Sequence, residues 1–183
     1  MRYGKKISGK NFGYNGGMYY LCKKCSIMRT PKISKLKQRM IEETLKDFKC
    51  LLVRYREYRG DDELVKEFCS RNRNPLFDIT TIKYFQTGLK SNGLIQNGGT
   101  PVNDHYITRV KSTEIIFEEL HNNPEMSVEE FTRLIKKYSS TISMTKDEHT
   151  KITQLTKGTG VMNYLVYEQV GITVLGLDEY IGY

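Results

Sequence analysis

Nine consecutive residues, Thr141-Ile142-Ser143-Met144-Thr145-Lys146-Asp147-Glu148-His149, constrain this chain most tightly. The first four are β-prone. Thr145 then offers a hydroxyl at an N-cap position, and Glu148 stands three residues on. Together they form a capping box, in which each side chain answers a backbone N–H that the first helical turn leaves open. The spacing predicts a short strand, an abrupt corner and a helix running to about Leu155. His149 falls in the first turn of that helix.

Other helix starts read in the same way. Ser34 precedes Leu36, Met40, Ile41, Leu45 and Phe48 at helical spacing, which predicts a helix to about Arg56. Lys35, Lys37, Arg39, Lys46 and Lys49 are expected on its other faces, as a solvated or DNA-facing basic surface. Asp61 or Asp62 can cap a short helix over 63–70. Arg71-Asn72-Arg73-Asn74-Pro75 then reads as a polar turn. Residues 77–85 and 94–96 read as short β pieces, with Asn92-Gly93 as a hairpin signal between strands. Asn97-Gly98-Gly99 leads into an expected strand over 104–110. Ser112 or Thr113 caps a helix over 114–122, and His121 suits its C-terminal end. Ser127 with Glu130 is a second capping box, opening a helix to about Tyr138 that turns Phe131, Leu134 and Ile135 inward. The tail holds an apolar run over 161–166 and an expected late strand over 171–176.

Charge divides the chain unevenly. Residues 1–60 carry sixteen Lys/Arg against four Asp/Glu; residues 61–183 carry thirteen against seventeen. The whole net charge of +8 therefore comes from the first third. A basic region beside a near-neutral body suits a polyanionic partner, because each phosphate it neutralises releases counterions. Lys5, Lys6, Lys10, Lys23, Lys24, Arg29, Lys32 and Lys35 are the candidate DNA contacts. Over the first twenty residues, basic groups alternate with glycines and with Tyr3, Phe12, Tyr14, Tyr19 and Tyr20. Such a mixture can track a backbone and stack on bases, or it can be a loop whose aromatics tuck onto a core. No run of about eighteen apolar residues occurs, and the basic start has no apolar stretch after it, so a cytoplasmic protein is expected.

Cys22 and Cys25 have the spacing of half a zinc site. The remaining cysteines, Cys50 and Cys69, are single and nineteen residues apart, so a structural Zn²⁺ is weakly supported. Cys50 reads as a small residue of a buried element.

The chemistry-bearing pair is Asp104-His105, which follows the turn-prone Gly98-Gly99-Thr100-Pro101. Phosphodiester hydrolysis needs an activated water and neutralisation of charge on the phosphate and leaving oxygens. A neutral imidazole suits the first task, and an aspartate that ligates Mg²⁺ suits the second. Arg109 can contact the phosphate. Neighbours in a strand point to opposite faces, so both residues can serve one site only where the strand is distorted.

The order of Asp104-His105, a β-prone run and Thr145-x-x-Glu148-His149 resembles the HNH, or ββα-metal, nucleases, in particular the small phage and mobile-element type. The likeness covers residues 98–156. It implies an α+β fold, helix-rich, with a ββα-metal core and a basic N-terminal region. It also implies Asp104 and His149 as ligands of Mg²⁺ or Mn²⁺ and His105 as general base. Ser140 and Thr141 stand where such nucleases carry an asparagine that orients the base. The two halves of the motif are separated by two helices, a longer insertion than in the compact form. The expected organisation is a DNA-binding region over 1–60, a connecting α/β segment over 61–97, and a nuclease core with a tail over 98–183. The expected function is a metal-dependent, sequence-directed DNA endonuclease of phage, homing or restriction type, acting in an infected bacterial host. The alternative is a nucleic-acid-binding protein without catalysis.

Overall fold

The structure is a computed structural model that describes residues 33–80, 85–159 and 161–181. The described residues fall within one compact unit, Lys32–Tyr183. The candidate DNA contacts from Lys5 to Lys32, together with Cys22 and Cys25, lie outside the described residues.

The unit is an α+β fold of helices around a small mixed sheet. Helix α1 (Lys35–Tyr58) begins at Ser34, whose hydroxyl accepts from the Lys37 N–H, as the sequence predicts. Its buried residues Ile41, Leu45, Phe48, Leu52 and Tyr55 recur at alternating steps of four and three, which keeps them on one stripe. Lys37 departs from the expected basic surface. It is fully buried, its ammonium donates to the Asp78 carbonyl at 2.9 Å, and it lies 5.9 Å from the Phe85 ring centroid. A carbonyl near a helix C-terminus is a favourable partner for such a cation.

Helix α2 (Asp62–Thr80) corrects a longer stretch of the sequence reading. The polar turn expected at 71–75 and the β piece expected from 77 are one continuous helix, with Pro75 inside it. Proline removes a backbone bond and costs about 3 kcal/mol in a helix interior. Beyond it, Leu76 and Ile79 are almost wholly buried. At about 1.5–3 kcal/mol for each such side chain, their burial matches or exceeds the cost of the proline.

Strand β1 (Gln86–Lys90) leads through Ser91 into helix α3 (Asn92–Asn97). Asn92-Gly93 is thus the first turn of a helix, capped by the Ser91 hydroxyl, and not a hairpin. Strand β2 (Val102–His105) is shorter than expected. It stops at His105 because Thr108 caps helix α4 (Arg109–Asn122). Helix α5 (Val128–Tyr138) starts with the Ser127–Glu130 capping box, complete in both directions. Strand β3 (Thr141–Met144) and helix α6 (Lys146–Thr156) follow as read. The tail holds two single turns of 3-10 helix, Asn163–Val166 and Glu168–Val170, and helix α7 (Leu177–Ile181). In place of the late strand there is one isolated bridge, Ser91 to Val174.

The strand order is β1-β3-β2. β3 runs parallel to β1 and antiparallel to β2, with Asp104 opposite Ile142 and His105 opposite Thr141. β2, the α4–α5 insertion, β3 and α6 therefore make a strand–strand–helix unit. Two apolar clusters support it. One joins α1, α2, α4 and α5 around Phe48, Phe68, Phe117 and Phe131. The other joins the sheet, α6 and the tail around Tyr106, Ile142, Ile152 and Tyr167. Cys69 is buried in the first cluster, where burial pushes its thiol up to about 12. Cys50 is exposed, which corrects its expected burial. Among the described residues no helix is long and apolar enough to cross a membrane.

Candidate active site

The corner between β3 and α6 is held by one carboxylate. Glu148 Oε2 accepts from the Thr145 N–H at 2.8 Å and from the Ser91 hydroxyl at 2.6 Å. Its Oε1 accepts from the Gly93 N–H at 3.1 Å. Burial, the largest single influence, pushes its pKa up, but the bonds from Ser91, Thr145 and Gly93 together bring it below its ordinary value. A Cβ on Gly93 would stand 2.3 Å from Oε1, so only glycine fits there. The capping box thus does more than start α6. It locks the helix to β1 and α3, and it aims the next residue, His149.

His149 faces Asp104. Its Nε2 lies 3.6 Å from Asp104 Oδ1, too far for a hydrogen bond. His149 is partly open to solvent, whereas Asp104 is 3% exposed. The carboxylate is held from the other side by the tail. Tyr167 donates its hydroxyl to Oδ2 at 2.8 Å. Asn163 Nδ2 lies 3.0 and 3.3 Å from the two oxygens, and 2.9 Å from the His105 carbonyl. Burial is the main influence on Asp104 and raises its pKa; the Tyr167 hydroxyl, His149 and Asn163 act against it. Burial and the charge of Asp104 hold the Tyr167 phenol protonated, so its hydroxyl remains a donor.

His105 ends β2, where the chain bends, and this resolves the problem of neighbours on opposite faces. Asp104 and His105 both line one cleft of about 490 Å³, together with His149 and Asn163. His105 Nδ1 lies 3.1 Å from the Ser139 carbonyl. A carbonyl only accepts, so Nδ1 carries the proton and Nε2 keeps a free lone pair. Burial first, and then the Arg109 charge, lower the His105 pKa to about 4, against the opposing effect of the Ser139 bond. The ring is therefore neutral near pH 7. The main-chain carbonyl of Ser139 orients the His105 ring, a contact the sequence reading did not name. The Ser140 hydroxyl is committed to the Lys136 carbonyl, while Thr141 lines the cleft opposite His105 in the β2–β3 pair.

The opposite wall is basic. Arg109 stacks on the Phe77 ring at 4.3 Å, and Arg73 lies close enough to contribute, after burial, to lowering the Arg109 pKa. Neither guanidinium has an ion-pair partner among the described residues, and Arg73 Nε is buried without a hydrogen bond. Two adjacent unpaired guanidiniums in a cleft favour an anion. His121 is engaged elsewhere, by Arg56 and Arg59. Lys35 is exposed at the start of α1.

The Asp104–His149 pair can be compared with the donor spacing that one divalent ion needs. Two donors about 2.1 Å from an ion, at about 90–110° to each other, lie roughly 3.0–3.4 Å apart. A gap of 3.6 Å between a carboxylate oxygen and an imidazole nitrogen is close to that. Among the described residues no group of three His, Cys, Asp or Glu converges, so the protein offers these two donors. The other positions of an ion held there would be taken by waters and substrate oxygens. Asn163 Oδ1, also buried at the cleft, has no hydrogen-bond partner among the described residues.

The sequence reading missed Arg73, Phe77, Asn163 and Tyr167. Asn163 did carry a signal, as the one amide within the apolar run 161–166. A polar group in such a run is buried and needs a partner, but nothing local names which one. No family model, no curated protein and no solved structure matches this chain.

Proposed function

We propose that this protein is a metal-dependent endonuclease of the HNH kind that hydrolyses phosphodiester bonds in DNA. One observation carries the reading. Asp104 Oδ1 and His149 Nε2 face each other at 3.6 Å across the strand–strand–helix corner, in the same cleft as His105. At that separation the two groups do not hydrogen-bond each other, and a shared ion between them would satisfy both.

Asp104 and His149 would hold Mg²⁺ or Mn²⁺, which when bound neutralises charge on the phosphate and on the leaving oxygen. His105 accepts a proton from water at Nε2, and the Ser139 carbonyl stabilises the imidazolium that results. The water oxygen then bonds to phosphorus as the bond to the leaving oxygen breaks. Arg109 and Arg73 hold the non-bridging phosphate oxygens, and the Phe77 ring keeps the Arg109 side chain in place. The basic excess of the first sixty residues supplies sequence-independent affinity for the duplex.

Purified protein with Mg²⁺ is expected to nick supercoiled plasmid. His105→Ala should lower the rate by about 10²–10⁴-fold while DNA binding in a gel shift stays unchanged. Equal nicking by His105→Ala would end this reading. Salt-sensitive binding with no metal-dependent cleavage would favour a non-catalytic DNA-binding protein.

A further inference from the structure

The tail packs against α6 and meets the end of β2 through hydrogen bonds. The Tyr164 N–H bonds to the Tyr106 carbonyl at 2.9 Å, and the Asn163 amide bonds to the His105 carbonyl. Asn163 and Tyr167 also donate to the Asp104 side chain. A nearly buried carboxylate with no such donors would carry a large desolvation cost and have several rotamers open to it. Here Oδ2 is occupied by the Tyr167 hydroxyl, and the Asn163 amide spans both oxygens. Oδ1, which accepts from the Asn163 amide at 3.0 Å, is the oxygen turned toward His149. Both tail residues are themselves buried, so their positions are fixed by packing: Tyr167 is 2% exposed and Asn163 9%.

We infer that Asn163 and Tyr167 are positioning residues for a divalent-cation site, holding the Asp104 carboxylate so that Oδ1 faces His149 Nε2. This rests on the endonuclease reading above. It adds a part of the site that lies beyond residues 98–156 and outside the strand–strand–helix unit. Groups that orient a ligating carboxylate change metal affinity without touching the ion.

The test is Mn²⁺ binding by the full chain without DNA, followed by the loss of the free-ion electron paramagnetic resonance signal, alongside thermal unfolding of the metal-free protein. Tyr167→Phe removes one oxygen atom and should weaken Mn²⁺ binding by about 10-fold. Asn163→Ala should act in the same direction. Tyr180→Phe is the control. Its hydroxyl also ties the tail down, to the Lys136 carbonyl and the Ser140 hydroxyl, but it does not touch Asp104. Its Mn²⁺ affinity should equal that of the unmodified protein. Wild-type affinity in both Tyr167→Phe and Asn163→Ala, with binding abolished by Asp104→Asn, would overturn the positioning role and leave the endonuclease reading intact. Equal weakening by Tyr180→Phe would also overturn it, since any loosening of the tail would then suffice. A wild-type protein that takes up no Mn²⁺ would overturn both readings.

Discussion

The two apolar clusters of this protein are built differently. The helical cluster of α1, α2, α4 and α5 is held by ring packing. Phe117 stacks on Phe48 and Tyr55, with centroids 4.5 and 5.3 Å apart, and meets Phe68 edge-on at 5.0 Å. Around the sheet, α6 and the tail, apolar contact is interleaved with buried polar groups, among them Ser91, Asp104, Glu148 and Asn163. Each of these is oriented by named partners at hydrogen-bonding distance. Dispersion and hydrophobic burial are non-directional, so the helical half tolerates small rotations. Hydrogen bonds are directional, and buried ones are costly to leave unmade. The cleft lies where the halves meet: α2 and α4 supply its guanidiniums, while the hydrogen-bonded half supplies Asp104, His105 and His149. A site that needs oriented atoms is placed in the half that can orient them.

The largest stability effect should come from the helical half. Phe117→Ala is expected to lower the unfolding free energy by about 3–5 kcal/mol in urea titration. A loss below about 1 kcal/mol would mean that ring packing does not carry that half. In the other half, Glu148→Ala should cost about 2–3 kcal/mol, because buried donors at Ser91, Gly93 and Thr145 lose their acceptor. Gly93→Ala should cost about 1–3 kcal/mol through overpacking against the same carboxylate, and much less once Glu148 is already alanine. A double-mutant cycle with no coupling would show that Glu148 is not the lock described. The smallest effect belongs to the surface: Lys46→Ala, which breaks the exposed pair with Glu43, should change stability by no more than about 0.5 kcal/mol.

Much of the fold was legible in the sequence where the signal spans three or four residues. Ser34, Ser127 and Thr145 all cap the helices that follow them, and both capping boxes close as read. The apolar spacing of α1 and α5 names Ile41, Leu45, Phe48, Phe131 and Ile135 among the residues they bury, while Leu36, expected with them, is exposed. The misreadings fall where a distant contact outweighs a local preference. Pro75 continues a helix because Leu76 and Ile79 have a core to enter. Asn92-Gly93 opens a helix because the Glu148 carboxylate, 55 residues away, receives the Gly93 N–H.

The candidate site divides along the same line. By itself the sequence determined the acid, the imidazoles and the capped corner that presents His149, because those features are local and chemically distinctive. Tertiary structure alone decided that Asp104 and His105 share a cleft, that the Ser139 carbonyl sets the tautomer of the base, and that Asn163 and Tyr167, 59 and 63 residues beyond Asp104, hold its carboxylate. An amide and a phenol declare no partner from their own positions. They acquire one only when packing brings a buried carboxylate within reach.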